Sequence, residues 1–361
     1  VRIFGWPADF AGCAYYRIHQ PLDELGRHGH DVTAKRVALG TADAAMYSAD
    51  VVVGQRICTP PPSARWAAFR LYKEQRYREW LAASWRSNRD LVQIVKKLDA
   101  RPASRPKLVF EIDDNLWRVD PSSPQAYEAF APPEIRRRLA QNAGLADTVT
   151  VSTPTLGDVM SQFNRDVRVI PNCIPAALLE HEPPRRTDGV VTIGWAGSHT
   201  HAMDWAQVDE HLVRALKKAR RTELHVMGGM DPRWSRVPAH RMRVTGWTDS
   251  VEDYHRKLDF HIGIAPLKQH PFNLSKSPVK ALEYAALGIP VVASDVGPYR
   301  DFVKHGETGF LVRRPEEWTR YLLDLVFDEA MREEMGRNAR KQASEHTIEA
   351  TWPLWEEALK P

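Results

Sequence analysis

The chain has 361 residues, 43% hydrophobic and 27% charged, a globular balance that excludes a disordered or low-complexity protein and suits about two domains. A formal net charge of +4 permits an anionic partner without requiring one. Cys13, Cys58 and Cys173 lack metal-site spacing and fit free thiols in a reducing compartment better than a disulfide framework.

The opening VRIFGW reads directly as a strand, without a charged leader or apolar signal core. No apolar run approaches the ~18 residues needed to cross a bilayer, so a cytoplasmic protein is expected. DVTAKRV, ADVVVG, KLVFEI, DTVTVS and VRVIPN follow as strands in the first half. The second half repeats the theme with VVTIGWAG, ELHVMGG, MRVTGW, FHIGIAP, IPVVAS and GFLV. Helical stretches lie between them, among them 204–219 and 251–258. Strands alternating with helices imply parallel sheets covered on both faces. The expected fold class is therefore α/β, with two doubly wound domains. Ligands of such sheets bind outside the carboxyl ends of the strands, which places the expected site in a cleft between the domains.

An N-terminal domain is expected over 1–170 and a second domain over 190–346. Between them, 171–189 has linker composition, with Pro171, Pro175, Pro183, Pro184 and a run of charge. The tail, TIEATWPLWEEALK, sets Trp352, Leu354, Trp355 and Leu359 on an amphipathic pattern and is expected to dock as a helix over 347–361. Residues 64–107 break the rhythm with a long helical stretch holding twelve Lys/Arg against four Asp/Glu. Its aromatic and aliphatic residues, Tyr77, Trp80, Trp85 and Val92 among them, fall near helical spacing. This is either a packed stripe with a solvated basic back or an anion-facing acceptor surface.

The chemistry concentrates in KSPVKALEYAALGIPVVASDVGPYR, residues 276–300. Ser277 before Pro278 predicts a capped helix start. Lys276 and Lys280 add charge to a helix mouth that already favours anions. Glu283 follows two turns after Lys276 on roughly the same face. Cations for phosphates with a carboxylate for ribose hydroxyls suit a nucleotide; an ordinary salt-bridged surface helix fits the spacing equally well. Asp113 and Asp114 follow the strand LVFEI at its carboxyl end. They could hold Mg²⁺ or Mn²⁺, accept hydrogen bonds from donor or acceptor hydroxyls, or simply cap the loop.

Residues 276–312 resemble the donor-nucleotide motif of retaining GT-B glycosyltransferases of family four: an acidic residue in a helix, then A-x-G-x-P-V-[IV]-A-[ST], then G-x-x-G-x-L-[VF]. VIPNCIP, VTIGWAGS, LHVMGG, VTGW and LDFHIGIAPL match further landmarks in order, and the resemblance is strong over about 170–345. In the first half it rests on GCAYYRIHQPLDEL and FEIDDNLW. The resemblance implies a GT-B fold of two Rossmann-like domains and transfer of a hexose or pentose from a nucleotide-sugar co-substrate to an acceptor hydroxyl. It implies retention by front-face attack, the departing phosphate assisting deprotonation of the acceptor, with no required cofactor.

By the same resemblance Glu283 binds the ribose, and Lys276, Gly197, Ser198 and the 276–279 backbone, with Ser277, face the diphosphate. Trp247 lies beside the base, and Gly12 lets the backbone approach the donor. Asp113, Asp114 and Lys276 are the expected catalytic contacts. The chain departs from the pattern twice. Ser275 stands where the family has a second acidic residue, and GWAGSHTHAMDW offers Ser198, His199 and His201 where the family commonly places an Arg and a Lys. Lys276, Lys280, Arg17 or a divalent ion must then neutralise the diphosphate. The 64–107 segment and the IDDNLW context also resemble phage and bacterial glycosyltransferases, some of which modify DNA bases, so a nucleic-acid acceptor stands beside a glycan or small molecule. A sugar-nucleotide epimerase and a non-catalytic nucleotide-sugar binder are the alternatives. A dinucleotide oxidoreductase is disfavoured, since no G-x-G-x-x-G follows either first strand.

Overall fold

The structure, a computed structural model, describes residues 1–9, 12–36, 44–70, 106–183, 188–198 and 201–361. The chain divides into two compact units. Unit 1 comprises 1–114, 130–171 and 351–361; unit 2 comprises 115–129 and 172–350.

Unit 1 is built on six strands: β1 (Arg2–Trp6), β2 (Asp31–Ala34), β3 (Val51–Gln55), β4 (Lys107–Ile112), β5 (Thr148–Val151) and β6 (Val167–Val169). They run parallel in the order β2-β1-β3-β4-β5-β6, with Ile3 beside Val51 and Val51 beside Lys107. All of β3 and β5 is buried, the near-continuous apolar run expected of a parallel sheet covered on both faces. Helix α1 (Gln20–Arg27) covers one face with Leu22 and Leu25. Helix α2 (Pro133–Leu145) receives Trp66, whose Nε1 donates to the Asn142 carbonyl at 2.9 Å. Most of the basic stretch expected over 64–107 lies outside the described residues; its opening turns belong to a helix, Pro60–Arg70.

Unit 2 carries β7 (Val191–Gly197), β8 (Thr222–Gly228), β9 (Met242–Thr245), β10 (Ile262–Ala265), β11 (Val291–Ser294) and β12 (Gly309–Val312). Their order is β12-β11-β10-β7-β8-β9, again parallel throughout. Along β7, Ile193 and Trp195 enter one core while Ala196 enters the other, the period-two alternation of a doubly covered strand. Its helices include α3 (Asp209–Lys218), α4 (Val251–Lys257), α5 (Val279–Ala286), α6 (Pro315–Phe327) and α7 (Glu329–Ala343). The helix expected over 204–219 is two: a short turn, Ala202–Trp205, precedes α3. The break lets Trp205 bury its ring and donate Nε1 to Asp209 at 3.3 Å.

Helix α8 (Ile348–Ala358) bears out only part of the expected tail stripe. Trp355 and Leu359 are buried and Trp352 stacks on His28 at 3.7 Å, but Leu354 is 47% exposed. Adjacent helical residues point about 100° apart, so Leu354 cannot share the face of Trp355. Among the described residues no helix is long and apolar enough to cross a membrane.

Candidate functional site

In each sheet the strand order reverses once, between β1 and β3 in unit 1 and between β7 and β10 in unit 2. Outside the carboxyl ends of the strands at such a reversal, open parallel sheets leave a crevice for ligands.

In unit 2 the reversal lies beside the end of β7. Gly228, at φ +99°, brings its backbone against Gly197: a Cβ there would stand 2.3 Å from the Gly197 carbonyl oxygen, and Gly229 N–H donates to that oxygen at 2.9 Å. Only glycine accepts both demands. Gly197 is itself confined, since a Cβ would lie 2.7 Å from the Trp195 ring and 3.0 Å from Lys280 Nζ. Helix α5 delivers Lys280 to this point, 84 residues along the chain. Its ammonium donates to the Ala196 carbonyl and lies 5.0 Å from the centre of the Trp195 ring. Burial lowers the Lys280 pKa to about 8. Lys276 lies over the Phe272 ring at 4.4 Å, a cation–π placement. Ser198 follows β7 half-buried, and His199 lies outside the described residues.

One turn beyond Lys280, Glu283 is 7% exposed. Tyr254 donates its hydroxyl to Glu283 Oε2 at 3.0 Å, and His255 Nε2 stands 3.5 Å from Oε1. Trp247, just after β9, is 66% exposed, which is uncommon for so large an apolar surface.

Ser277 departs from expectation. Ser277 caps nothing: α5 begins at Val279 with Pro278 at its cap position, and the Ser277 hydroxyl instead accepts from Asn172 Nδ2 at 2.8 Å. Proline sits one place earlier than expected because Pro278 adopts a turn conformation, φ −81° and ψ 23°, outside the helix. Ser275 is 1% exposed, donates to the Pro271 carbonyl at 3.2 Å and lies 3.5 Å from Asn115 Nδ2. Its hydroxyl closes a turn.

Sequence reasoning missed Asp204. Buried at 4% exposure, its Oδ1 accepts from Lys268 N–H and Asn273 Nδ2, each at 2.8 Å, and its Oδ2 lies 2.7 Å from His201 Nδ1. It ties the loop after β7 to the loop after β10, on either side of the strand reversal. Burial lowers the His201 pKa, so at neutral pH the imidazole is uncharged and Nδ1–H is the donor. The only signal was the pair His201 and Asp204 at helical i,i+3 spacing.

In unit 1, Gln55 at the end of β3 joins the two sides of the reversal: its Oε1 accepts from Ala8 N–H at 3.0 Å and its Nε2 donates to the Cys13 carbonyl at 3.1 Å. Gly12 opens the helical turn after β1, and a Cβ there would meet nothing within 4 Å. Arg17 sits in a π-helical turn, Tyr15–His19, and does not meet the expectation of a phosphate-facing cation. It is 1% exposed, donates Nε to Glu111 at 2.6 Å and lies 4.8 Å from the Trp355 ring centre. A buried guanidinium needs a carboxylate. Burial in turn pushes the Glu111 carboxyl up to about 7, against the pull of Arg17.

Asp113 and Asp114 do stand at the end of β4, but with a cation that the sequence did not reveal. Arg56 Nη2 lies 2.6 Å from Asp113 Oδ1, and its Nη1 3.8 Å from Asp9. Arg56 is also the non-glycine residue at positive φ, 48°, among the described residues, a strained geometry that concentrates at functional sites. Cys13 joins the two aspartates, their ligating atoms all within 4.8 Å of one another. This set does not fit Mg²⁺ or Mn²⁺. Those ions take oxygen ligands, burial pushes the Cys13 thiol up and so keeps it protonated, and a guanidinium already holds Asp113.

Residues 190–328 match the family described as Glycosyl transferases group 1. A D-inositol 3-phosphate glycosyltransferase of Paenarthrobacter aurescens is 45% identical over 65 residues, 18% of this chain and 16% of that protein. The stretch aligned thus spans about one-sixth of the curated relative's length. Among solved structures, HepE of Anabaena, in complex with UDP and glucose, aligns with a TM-score of 0.60 at 14% identity, covering 99% of this chain and 98% of that one. Sucrose-phosphate synthase of Thermosynechococcus elongatus aligns at 0.59 and 16%, with the same coverage. The chain has the two-unit α/β fold called GT-B.

Proposed function

We propose that this chain is a glycosyltransferase that moves a sugar from a nucleotide-sugar donor to an acceptor hydroxyl with retention of configuration. One observation carries the reading. At the strand reversal of unit 2, Lys280 is delivered to the carboxyl end of β7 with Glu283 one turn behind it. A cation at a sheet's carboxyl end suits a diphosphate, and a carboxylate set back from it suits a ribose. The match over 190–328 and the UDP and glucose held by HepE support the same assignment.

In this reaction the bond from the anomeric carbon to the diphosphate breaks and a bond to the acceptor oxygen forms on the same face. The leaving phosphate takes the acceptor proton. Negative charge grows on the diphosphate as it departs, and Lys276 and Lys280, with the Gly197 and Ser198 backbone, stabilise it there. Glu283 holds the ribose and Trp247 lies along the base. Asp113 and Asp114 hydrogen-bond sugar or acceptor hydroxyls in unit 1, with Arg56 orienting Asp113. A nucleic-acid acceptor would draw on the basic 71–105 stretch, outside the described residues.

The test is incubation of the purified full chain with UDP-, GDP- and ADP-sugars, with and without glycan, polyol and duplex DNA acceptors. Release of the nucleoside diphosphate and an α-linked product from an α-linked donor are expected. Neither binding nor turnover of any nucleotide sugar would sink the reading, and an epimerised donor without transfer would move it to the epimerase class.

A further inference from the structure

Glu283 is buried in α5, yet two groups on its oxygens come from a different helix. Ser250 opens α4, its hydroxyl accepting from Asp253 N–H at 3.0 Å. The helix then sets Tyr254 and His255 side by side. Neighbouring helical residues point about 100° apart, which lets two of them straddle one carboxylate. Tyr254 donates to Oε2 at 3.0 Å while His255 Nε2 stands 3.5 Å from Oε1. Their rings touch at 5.3 Å between centres, tilted by 46°, and His255 is only 4% exposed.

We propose that Tyr254 and His255 are positioning residues that fix the Glu283 carboxylate for the ribose of a bound nucleotide, and thereby set a preference for ribo- over 2′-deoxyribonucleotides. The inference rests on the reading of Glu283 as the ribose acceptor. An ionised carboxylate offers about four lone-pair sites, more than Tyr254 and His255 engage between them. A glutamate held before the ligand arrives loses less freedom when it binds. Trp247 lies four residues before α4 begins at Val251. Residues 247–255 thus form one nucleoside-reading segment, the exposed indole toward the base and the helix toward the carboxylate that receives the ribose.

Calorimetry on the full chain with UDP, GDP and ADP, and with their 2′-deoxy counterparts, tests this. Wild type is expected to prefer the ribo form of its nucleotide about tenfold or more, the scale of a hydrogen bond to a charged group. Tyr254→Phe should shrink that preference to about threefold while leaving affinity for the deoxy form within about twofold. His255→Gln should act in the same direction. A variant that weakens both forms equally, retains the wild-type ratio or tightens ribo binding overturns the positioning role. If Glu283→Gln also keeps the wild-type ratio, or if wild type binds none of the six nucleotides, the ribose reading of Glu283 fails with it. Tyr254→Phe failing to fold would leave His255→Gln to decide by the same ratio.

Discussion

At the strand reversal of unit 1 the cation Arg56 is bound to Asp113, on backbone held at φ 48°. At the reversal of unit 2 the cation Lys280 rests on a carbonyl oxygen and a tryptophan face, on relaxed helical backbone. Among the described residues no carboxylate lies within ion-pair distance of Lys280. A charge already matched by a carboxylate can orient its partner but adds little to an incoming phosphate. A charge resting on a carbonyl and a ring can exchange those weaker partners for a phosphate. The two cations thus differ in how they are held, and under the function proposed above that difference divides the work: Arg56 would fix geometry and Lys280 would receive charge.

The largest effect should come from breaking the unit 1 pair. Arg56→Ala leaves Asp113 buried without its guanidinium and should cost about 3 kcal/mol of stability, read by denaturant unfolding. Arg56→Gly removes the same ion pair but accepts positive φ without strain. It should therefore be more stable than the alanine variant by about 1 kcal/mol. Equal stability of the two would show that φ 48° stores no strain.

Lys280→Met should weaken nucleoside diphosphate binding by about 2 kcal/mol, roughly thirtyfold, with little change in unfolding. Arg56→Lys should leave diphosphate affinity within about twofold. If both cations matter equally for the diphosphate, the division between the units is wrong.

The pH dependence sharpens the same point. The folded pKa of Lys280 is about 8, against 10.5 for an ordinary lysine. Below pH 8 the ammonium is charged whether or not ligand is present. As pH rises through 8 the unliganded protein loses that proton, so diphosphate affinity should fall, at most about tenfold per pH unit. Binding near pH 8.5 should take up protons, seen by calorimetry in buffers of different ionisation heat, and Lys280→Met should abolish the uptake. Stability runs the other way. Between about 8 and 10.5 the unfolded chain keeps a proton that the folded one has released, so this group adds stability as pH rises across that window. The smallest effect belongs to Trp247→Ala: unfolding within about 0.5 kcal/mol of wild type, because the indole is exposed, with nucleoside affinity lowered by about 1 kcal/mol.

All twelve strands were legible in the sequence. Parallel strands covered on both faces must be apolar along their length, and VVVGQ or KLVFEI cannot be read otherwise. Lys280 and Glu283 were legible because one helix carries both at a fixed spacing. Arg56 was not: a lone arginine after a strand looks like surface charge until the fold sets it against Asp113, 57 residues away. Asp204 and Tyr254 were hidden for the same reason, their partners lying 64 to 69 and 29 residues away. The two misplaced residues erred in opposite directions. Arg17 looked accessible and is sealed beneath Trp355, whereas Ser277 looked like a local cap and serves Asn172, 105 residues distant.

The indole above Arg17 also has a consequence for how the molecule is made. Unit 1 begins with the first strand but is completed by residues 351–361, which leave the ribosome only after every residue of unit 2. During synthesis the buried Arg17–Glu111 pair therefore waits, without its aromatic cover, while some 180 residues of unit 2 emerge. Unit 2 has no such delay and can close first. Vectorial folding ordinarily favours the amino-terminal domain; here the order should be inverted, and nascent chains stalled before Thr351 should show a protease-resistant unit 2 beside a still-sensitive unit 1.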